Sequence, residues 1–427
     1  GAAILAHEHA GPTSAFRGFD LSNLRYELKT FECTRCANRC EIHQVAIEGR
    51  KPLHYGSRCG RFDDEARHDL GRGLPRLFAE RDDALLNAYP QAEPREPIGL
   101  SIGIPRALSF FDRYPFWKAF FTEIGCRVVL SSPTNKRIVR LGSEAMHTET
   151  CFPICLAHGH VLDLMDQGVD YVFVPSVVDL EHEAEDAVRS YACPLAQSLP
   201  YLLRAALRPG PDGPQFLAPV LHFASGRATV DKELHRLGRG LGVPAGRVQT
   251  ALDAAWQAQE AFRRRLLDRG REVIDGLGKD QHAVVIVSRP YNGCDPGANL
   301  GVPDKLRDMG MTAIPLDMLP LDLPTLGRDF PHMYWKYGQS ILAGARYIAE
   351  HPNLHAIYVT NFRCGPDSFV TKFFDRMLGQ PYLTIEIDQH SADVGALTRC
   401  EAFVDSIRGG RARGGRPAMR TAAAVTP

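Results

Sequence analysis

The residues with the most chemistry to offer are the cysteines, and their spacing sorts them into two groups. Cys33, Cys36, Cys40 and Cys59 lie close together in one turn-rich stretch, as Cys33-x2-Cys36-x3-Cys40 with Cys59 further on. Four thiolates at these spacings can close a tetrahedral site without a large core around them. Arg58 before Cys59 and Gly60 after it set the last ligand on a turn. Both a structural zinc and a 4Fe–4S cluster suit such a set, and spacing alone leaves the two open.

The second group is spread along the rest of the chain. Cys151 stands in Thr148-Glu149-Thr150-Cys151-Phe152-Pro153. Pro153 suits the first turn of a helix, where a missing N–H costs nothing, so Cys151 falls at the positive end of a helix dipole. That placement favours thiolate, the form a metal takes. Cys155 follows one turn later, and His158 and His160 come after it. Cys193 precedes Pro194, and Cys364 sits in Asn361-Phe362-Arg363-Cys364-Gly365-Pro366, directly after a strand-like run. Open α/β sheets place their sites in loops at the carboxyl ends of parallel strands. Cys294 lies in the turn Tyr291-Asn292-Gly293-Cys294-Asp295-Pro296-Gly297. Cys126 and Cys400 read as small buried apolar residues. Glu149, His158 and His160 are the candidate proton donors.

These residues need a scaffold, and the pattern of apolar runs supplies one. Strand-like runs at Ile98–Ile104, Arg127–Leu130, Tyr171–Pro175 and Phe216–Phe223 alternate with helical stretches such as Phe110–Ile124 and His158–Gln167. A long amphipathic segment, Ala251 to Leu277, follows, and the alternation restarts at Ala283–Val287, Thr312–Pro315, Ala356–Thr360 and Tyr382–Ile387. This is the βαβ signature of parallel sheets. The expected organisation is residues 1–20 as a linker or the end of a preceding domain, 21–95 as a Cys-rich segment and linker, 96–250 as a first α/β domain, 251–280 as a bridging helix, 281–407 as a second α/β domain, and 408–427 as a disordered tail.

Composition closes off other classes. Lys plus Arg equals Asp plus Glu at 50 each, so no net charge points to nucleic acid or a membrane surface. No apolar run has the length of a membrane span, and the first residues lack the pattern of a signal peptide. Eleven cysteines without an export signal fit a reducing cytoplasm and metal-bound thiolates better than disulfides. There is no Gly-x4-Gly-Lys-Ser/Thr phosphate loop and no Gly-x-Ser-x-Gly nucleophile elbow, so kinase and hydrolase readings lack support.

Several segments together resemble one family. They are Phe31-x-Cys33-x-x-Cys36-x-Asn38-x-Cys40-x-Ile42, Thr148 to Pro153 with His158-Gly159-His160, Arg289-Pro290-Tyr291-Asn292, Asn361 to Asp367, His390-Ser391-Ala392-Asp393 and Thr398-Arg399-Cys400-Glu401. The combination is similar to the acyl-CoA dehydratase activase-related proteins, relatives of 2-hydroxyglutaryl-CoA dehydratase and benzoyl-CoA reductase subunits and of double-cubane cluster proteins. The resemblance implies two flavodoxin-like (Rossmann-like) domains with an iron–sulfur centre between them and a small N-terminal Cys-rich segment. By motif position it carries a 4Fe–4S cluster with an open iron to Cys151, Cys193 and Cys364. Where many relatives have lysine this chain has Cys155, a thiolate that either closes the open position or joins Cys294 on a second cubane. The resemblance also implies an actin-like activator ATPase carrying its own 4Fe–4S cluster, fused or separate. Gly1-Ala2-Ala3-Ile4-Leu5-Ala6 looks like the closing helix of such an ATPase.

Two functions follow from this. One is an enzyme that takes an ATP-primed electron at low potential and passes it to a small substrate or a 2-hydroxyacyl-CoA. The other is a non-catalytic electron relay or regulatory module beside the ATPase. A zinc-only scaffold is a third, weaker reading. A homodimer is compatible with either of the first two.

Overall fold

The structure is a computed structural model that describes residues 25–33, 40–47, 52–56 and 70–412, apart from 92, 95, 183–188, 209, 211–212 and 392. The chain divides into two compact units, residues 1–65 and 66–427. The first is a three-stranded antiparallel sheet of β1 (Tyr26–Glu32), β2 (Glu41–Ile47) and β3 (Leu53–Tyr55), in the order β1-β2-β3. Cys33 and Cys40 flank the hairpin between β1 and β2, where the Cys33 N–H donates to the Cys40 carbonyl at 2.8 Å. Both are buried beside Ile42. Cys36 and Cys59 lie outside the described residues, as do residues 1–20 and the tail beyond Ala412.

The second unit is mixed α/β, with two parallel four-stranded sheets. The first comprises β4 (Ser101–Ile104), β5 (Arg127–Leu130), β6 (Tyr171–Phe173) and β8 (Gln215–Leu217), in the order β5-β4-β6-β8. The second comprises β10 (Ala283–Val287), β11 (Thr312–Pro315), β12 (Leu354–Asn361) and β13 (Leu383–Ile387), in the order β11-β10-β12-β13. In each sheet the order is therefore second, first, third, fourth. The two halves share a Rossmann-like topology that the sequence showed only as two runs of alternation. Every residue of β4, β10 and β11 is buried, as parallel strands covered on both faces must be.

The single strand expected at Phe216–Phe223 is two. Pro219 has no N–H to donate, and the chain leaves the main sheet there. Residues Val220–His222 (β9) pair instead with β7 (Ser176–Asp179) in a separate two-stranded parallel sheet. The long helix runs Ala245–Asp275. It packs on the helix Phe110–Glu123 through a cluster of rings in which Phe116 meets Trp256 edge-on at 4.9 Å. Gly270 lets this helix touch the turn after β11, because a Cβ there would sit 1.8 Å from the Met318 carbonyl oxygen. No helix among the described residues is long and apolar enough to cross a membrane.

Candidate functional site

In the second sheet, β10 and β12 are neighbours, and the strand order reverses between them. Such a switch point leaves a crevice at the carboxyl ends of the two strands. The loop after β10 brings Ser288, Arg289, Pro290 and Tyr291 to that crevice, and the loop after β12 brings Phe362, Arg363 and Cys364. Arg289 Nη1 lies 3.0 Å from the Cys364 sulfur and 2.8 Å from Asp367 Oδ2. Asp367 also accepts from the hydroxyls of Tyr358 and Thr360, so its carboxylate is fully engaged. Both members of the Arg289–Asp367 pair are buried. Burial opposes the guanidinium's charge, but Asp367 holds its pKa well above the ordinary value.

Cys151 and Cys193 reach the same place from the first half of the unit. Both thiols, with that of Cys364, act electrostatically on the Tyr291 hydroxyl, and Cys151 and Cys193 act on each other. Burial pushes Tyr291 well above the usual tyrosine range, and the three cysteines push in the same direction. The loop carrying Cys193 is tied to the second half by backbone bonds, Tyr191 N–H to the Tyr334 carbonyl at 2.7 Å and Lys336 N–H to the Tyr191 carbonyl at 3.1 Å. Glu149, two residues before Cys151, forms an ion pair with Arg363, the residue before Cys364. Arg363 has a φ of 65°, a left-handed conformation that a branched side chain seldom adopts and that turns the chain sharply out of β12.

The three cysteines share one local design. Each is the N-cap of a helix, with extended or near-extended backbone, no capping bond from its own side chain, and a proline within the next two residues. Proline fixes the first turn without needing a partner for an N–H, so each sulfur is held by a rigid backbone. Cys151 and Cys364 cap helices of 15 and 14 residues, whose positive ends favour negative charge. Burial nevertheless pushes the Cys151 thiol up to about 11, against the pull of the Ile154 N–H and Arg289. It pushes Cys364 up to about 12, against the same guanidinium. A thiol must give up its proton to bind a cation, so any such binding at these groups would depend on pH.

Cys155 and Cys294 have other neighbours. The Cys155 sulfur lies 3.4 Å from Ser143 Oγ and 3.9 Å from the Val139 carbonyl, against the helix Lys136–Ala145. That helix comes close because Gly142 has no Cβ to strike the Cys155 carbonyl. The Cys294 thiol faces Arg81, Asp317, Asp82 and Asp295, and burial pushes it up to about 12. Among the described residues no three His, Cys, Asp or Glu side chains gather tightly enough to hold a single ion.

The histidines are internal. His158 Nδ1 is 2.8 Å from the Ile154 carbonyl, and burial lowers its pKa. His160 is fully buried between Ser131 Oγ at 2.9 Å and Thr134 Oγ1 at 3.0 Å, and burial brings it down to about 3. Thr134 Oγ1 in turn donates to Asp295 Oδ2 at 2.5 Å. That direction assigns the remaining protons. The threonine oxygen accepts from His160 Nε2–H, and Nδ1 accepts from the Ser131 hydroxyl, whose oxygen accepts from the Arg106 N–H. A buried polar chain thus joins the first half to the loop after β10.

Sequence reasoning quoted Arg289-Pro290-Tyr291-Asn292 and Asp367 without giving them a role. Their signal was position, since they follow β10 and β12. Three of their atoms are buried without any partner: Arg289 Nη2 and both polar atoms of the Asn292 side chain. Buried polar groups are ordinarily paired, so these unmatched atoms set this crevice apart from the rest of the core.

Comparison with known proteins identifies a family. The family described as CoA enzyme activase uncharacterised domain (DUF2229) matches residues 101–319, just over half of the chain, and the chain belongs to that family. No curated protein matches it. A glucosamine-6-phosphate deaminase from Thermotoga maritima aligns over 82% of this chain and 94% of its own at 8% identity, but its TM-score of 0.19 carries no argument.

Proposed function

We propose that this member of the CoA enzyme activase family is an iron–sulfur protein that handles an electron at low potential, with Cys151, Cys193 and Cys364 as the protein ligands of a 4Fe–4S or double-cubane cluster. The observation that carries this reading is the convergence of the three cysteines around Tyr291, with Arg289 Nη1 against Cys364 and with unmatched amide N–H groups on Asn292, the residue after Tyr291. Sulfides of a cluster are acceptors of the kind these donors lack, and such hydrogen bonds tune cluster potential. When bound, a cluster of this kind supplies one-electron chemistry.

The chain's own residues do the rest. The prolines after each cysteine hold the sulfurs in place, Arg289 offsets the negative charge of thiolates and sulfide, and burial excludes water. Glu149 at the rim is the candidate proton carrier, because burial disfavours the charged forms of His158 and His160. The electron comes from an actin-like activator ATPase with its own 4Fe–4S cluster, fused or separate, and goes to a small molecule or a 2-hydroxyacyl-CoA. Cys33, Cys36, Cys40 and Cys59 hold zinc or a second 4Fe–4S cluster. The family description also favours a second reading, in which the chain is a relay or regulatory module that activates a CoA enzyme and transforms no substrate itself.

The test is anaerobic purification with iron, sulfide and zinc measured per chain, and EPR after dithionite, on wild type, Cys151→Ala and Cys155→Ala. About four irons lost in Cys151→Ala and kept in Cys155→Ala support a single cluster on the three cysteines. About eight or more irons, with loss in Cys155→Ala as well, give Cys155 a place on a double cubane. Little iron after anaerobic reconstitution overturns the proposal and leaves a zinc-bearing scaffold.

A further inference from the structure

A cavity of about 370 Å³ borders Arg289 and Cys294 but none of Cys151, Cys193 or Cys364. Its size is at the lower end of small-molecule pockets and corresponds to roughly twelve water volumes. Much of the wall is apolar. Phe262 and Leu267 come from the long helix Ala245–Asp275, and Leu321 from the segment after β11. The charged side chains around it are five cationic and three acidic. One of the acids, Asp112, is held above its usual pKa by burial, which reduces the negative charge further.

Two polar side chains on this wall, each more than nine-tenths buried, have an atom without a partner. Gln259 spends its N–H on the Asp112 carbonyl at 2.7 Å, and its Oε1 is unmatched. Arg289 spends Nη1 on Cys364 and Asp367, and its Nη2 is unmatched. A buried donor and a buried acceptor left open are each unfavourable, and a bound molecule that pairs with them removes that cost.

We infer that this cavity binds a small organic anion with an apolar body, whose oxyanion accepts from Arg289 and whose own N–H or O–H donates to Gln259. Apart from Arg289 and Cys294 its wall is separate from the cysteine group, and it does not depend on the cluster reading.

The probe is N-acetyl-leucine, which carries a carboxylate, an amide N–H and a branched apolar side chain. It is titrated calorimetrically into the full chain, both iron-loaded and iron-free, beside N-acetyl-leucinamide, which lacks the charge, and 4-methylpentanoate, which lacks the N–H. Leu267→Trp and Leu321→Trp narrow the cavity from part-exposed wall positions and leave the cysteine group intact. The expected result is saturable binding of the acid, roughly tenfold weaker binding of both analogues, and a loss of roughly tenfold or more in each tryptophan variant. Equal binding of acid and amide, binding unchanged in both variants, or no saturable binding of any of the three overturns the inference. Binding by the iron-free chain upholds it even where the cluster reading fails.

Discussion

Glutamine in place of His160 isolates one titrating group in the polar chain that joins the two halves. The imidazole titrates at about 3 in the folded protein against an ordinary 6.5, because burial disfavours its charged form. Below pH 6.5 the unfolded chain therefore takes up a proton that the folded chain refuses. Stability is fully present above 6.5 and is lost as pH falls towards 3. At pH 5 the two states differ by about 1.5 protonation decades at this site, so lowering the pH from 7 to 5 costs wild type about 2 kcal/mol through His160 alone. His160→Gln keeps the shape of the interaction, since its amide can donate to Thr134 and accept from Ser131, but it does not titrate. The Asp163, Arg106 and Asp295 charges that bear on this position remain in both proteins. The assay is urea unfolding of both proteins at pH 7 and pH 5. The variant is expected to lose about 2 kcal/mol less than wild type between the two. Equal losses would refute the claim that a neutral, buried His160 makes the fold acid-sensitive.

Two further substitutions probe the packing that positions the site. Arg289→Met leaves Asp367 as an unpaired buried carboxylate and should destabilise by about 3–5 kcal/mol, and pairing it with Asp367→Leu should recover most of that loss in the same urea assay. Gly270→Ala drives a methyl into the Met318 carbonyl and should cost about 1–3 kcal/mol, seen as a lower melting temperature. Gly246→Ala on the same helix meets nothing within 4 Å and should be neutral or slightly stabilising.

The alternation of short apolar runs with helical stretches was enough to predict parallel α/β halves, because a strand buried on both faces must be apolar at nearly every position. Ala283–Val287 and Thr312–Pro315 follow from that rule to the residue. Pro153 likewise placed a helix start beside Cys151, since a proline after a cysteine constrains only local backbone; the structure shows the same arrangement at Pro194 and Pro366. Local rules could not find the strand at Ser176–Asp179, which is short and paired to a distant partner, or the division of the Phe216–Phe223 run between two sheets.

The neighbours of each sulfur were also beyond the sequence. Cys155 is one turn from Cys151, and helical spacing brings them near one another along the chain. The sulfur of Cys155 nevertheless turns to Ser143 and Val139, because a second helix packs on that face through Gly142. Cys294 lies three residues beyond Tyr291, yet it faces Arg81 and Asp317. Residue type and spacing determined which groups are able to do chemistry and how each is presented by its own helix or loop. Which of them meet depends on contacts between residues as far as 236 positions apart, and only the packed tertiary structure decides those.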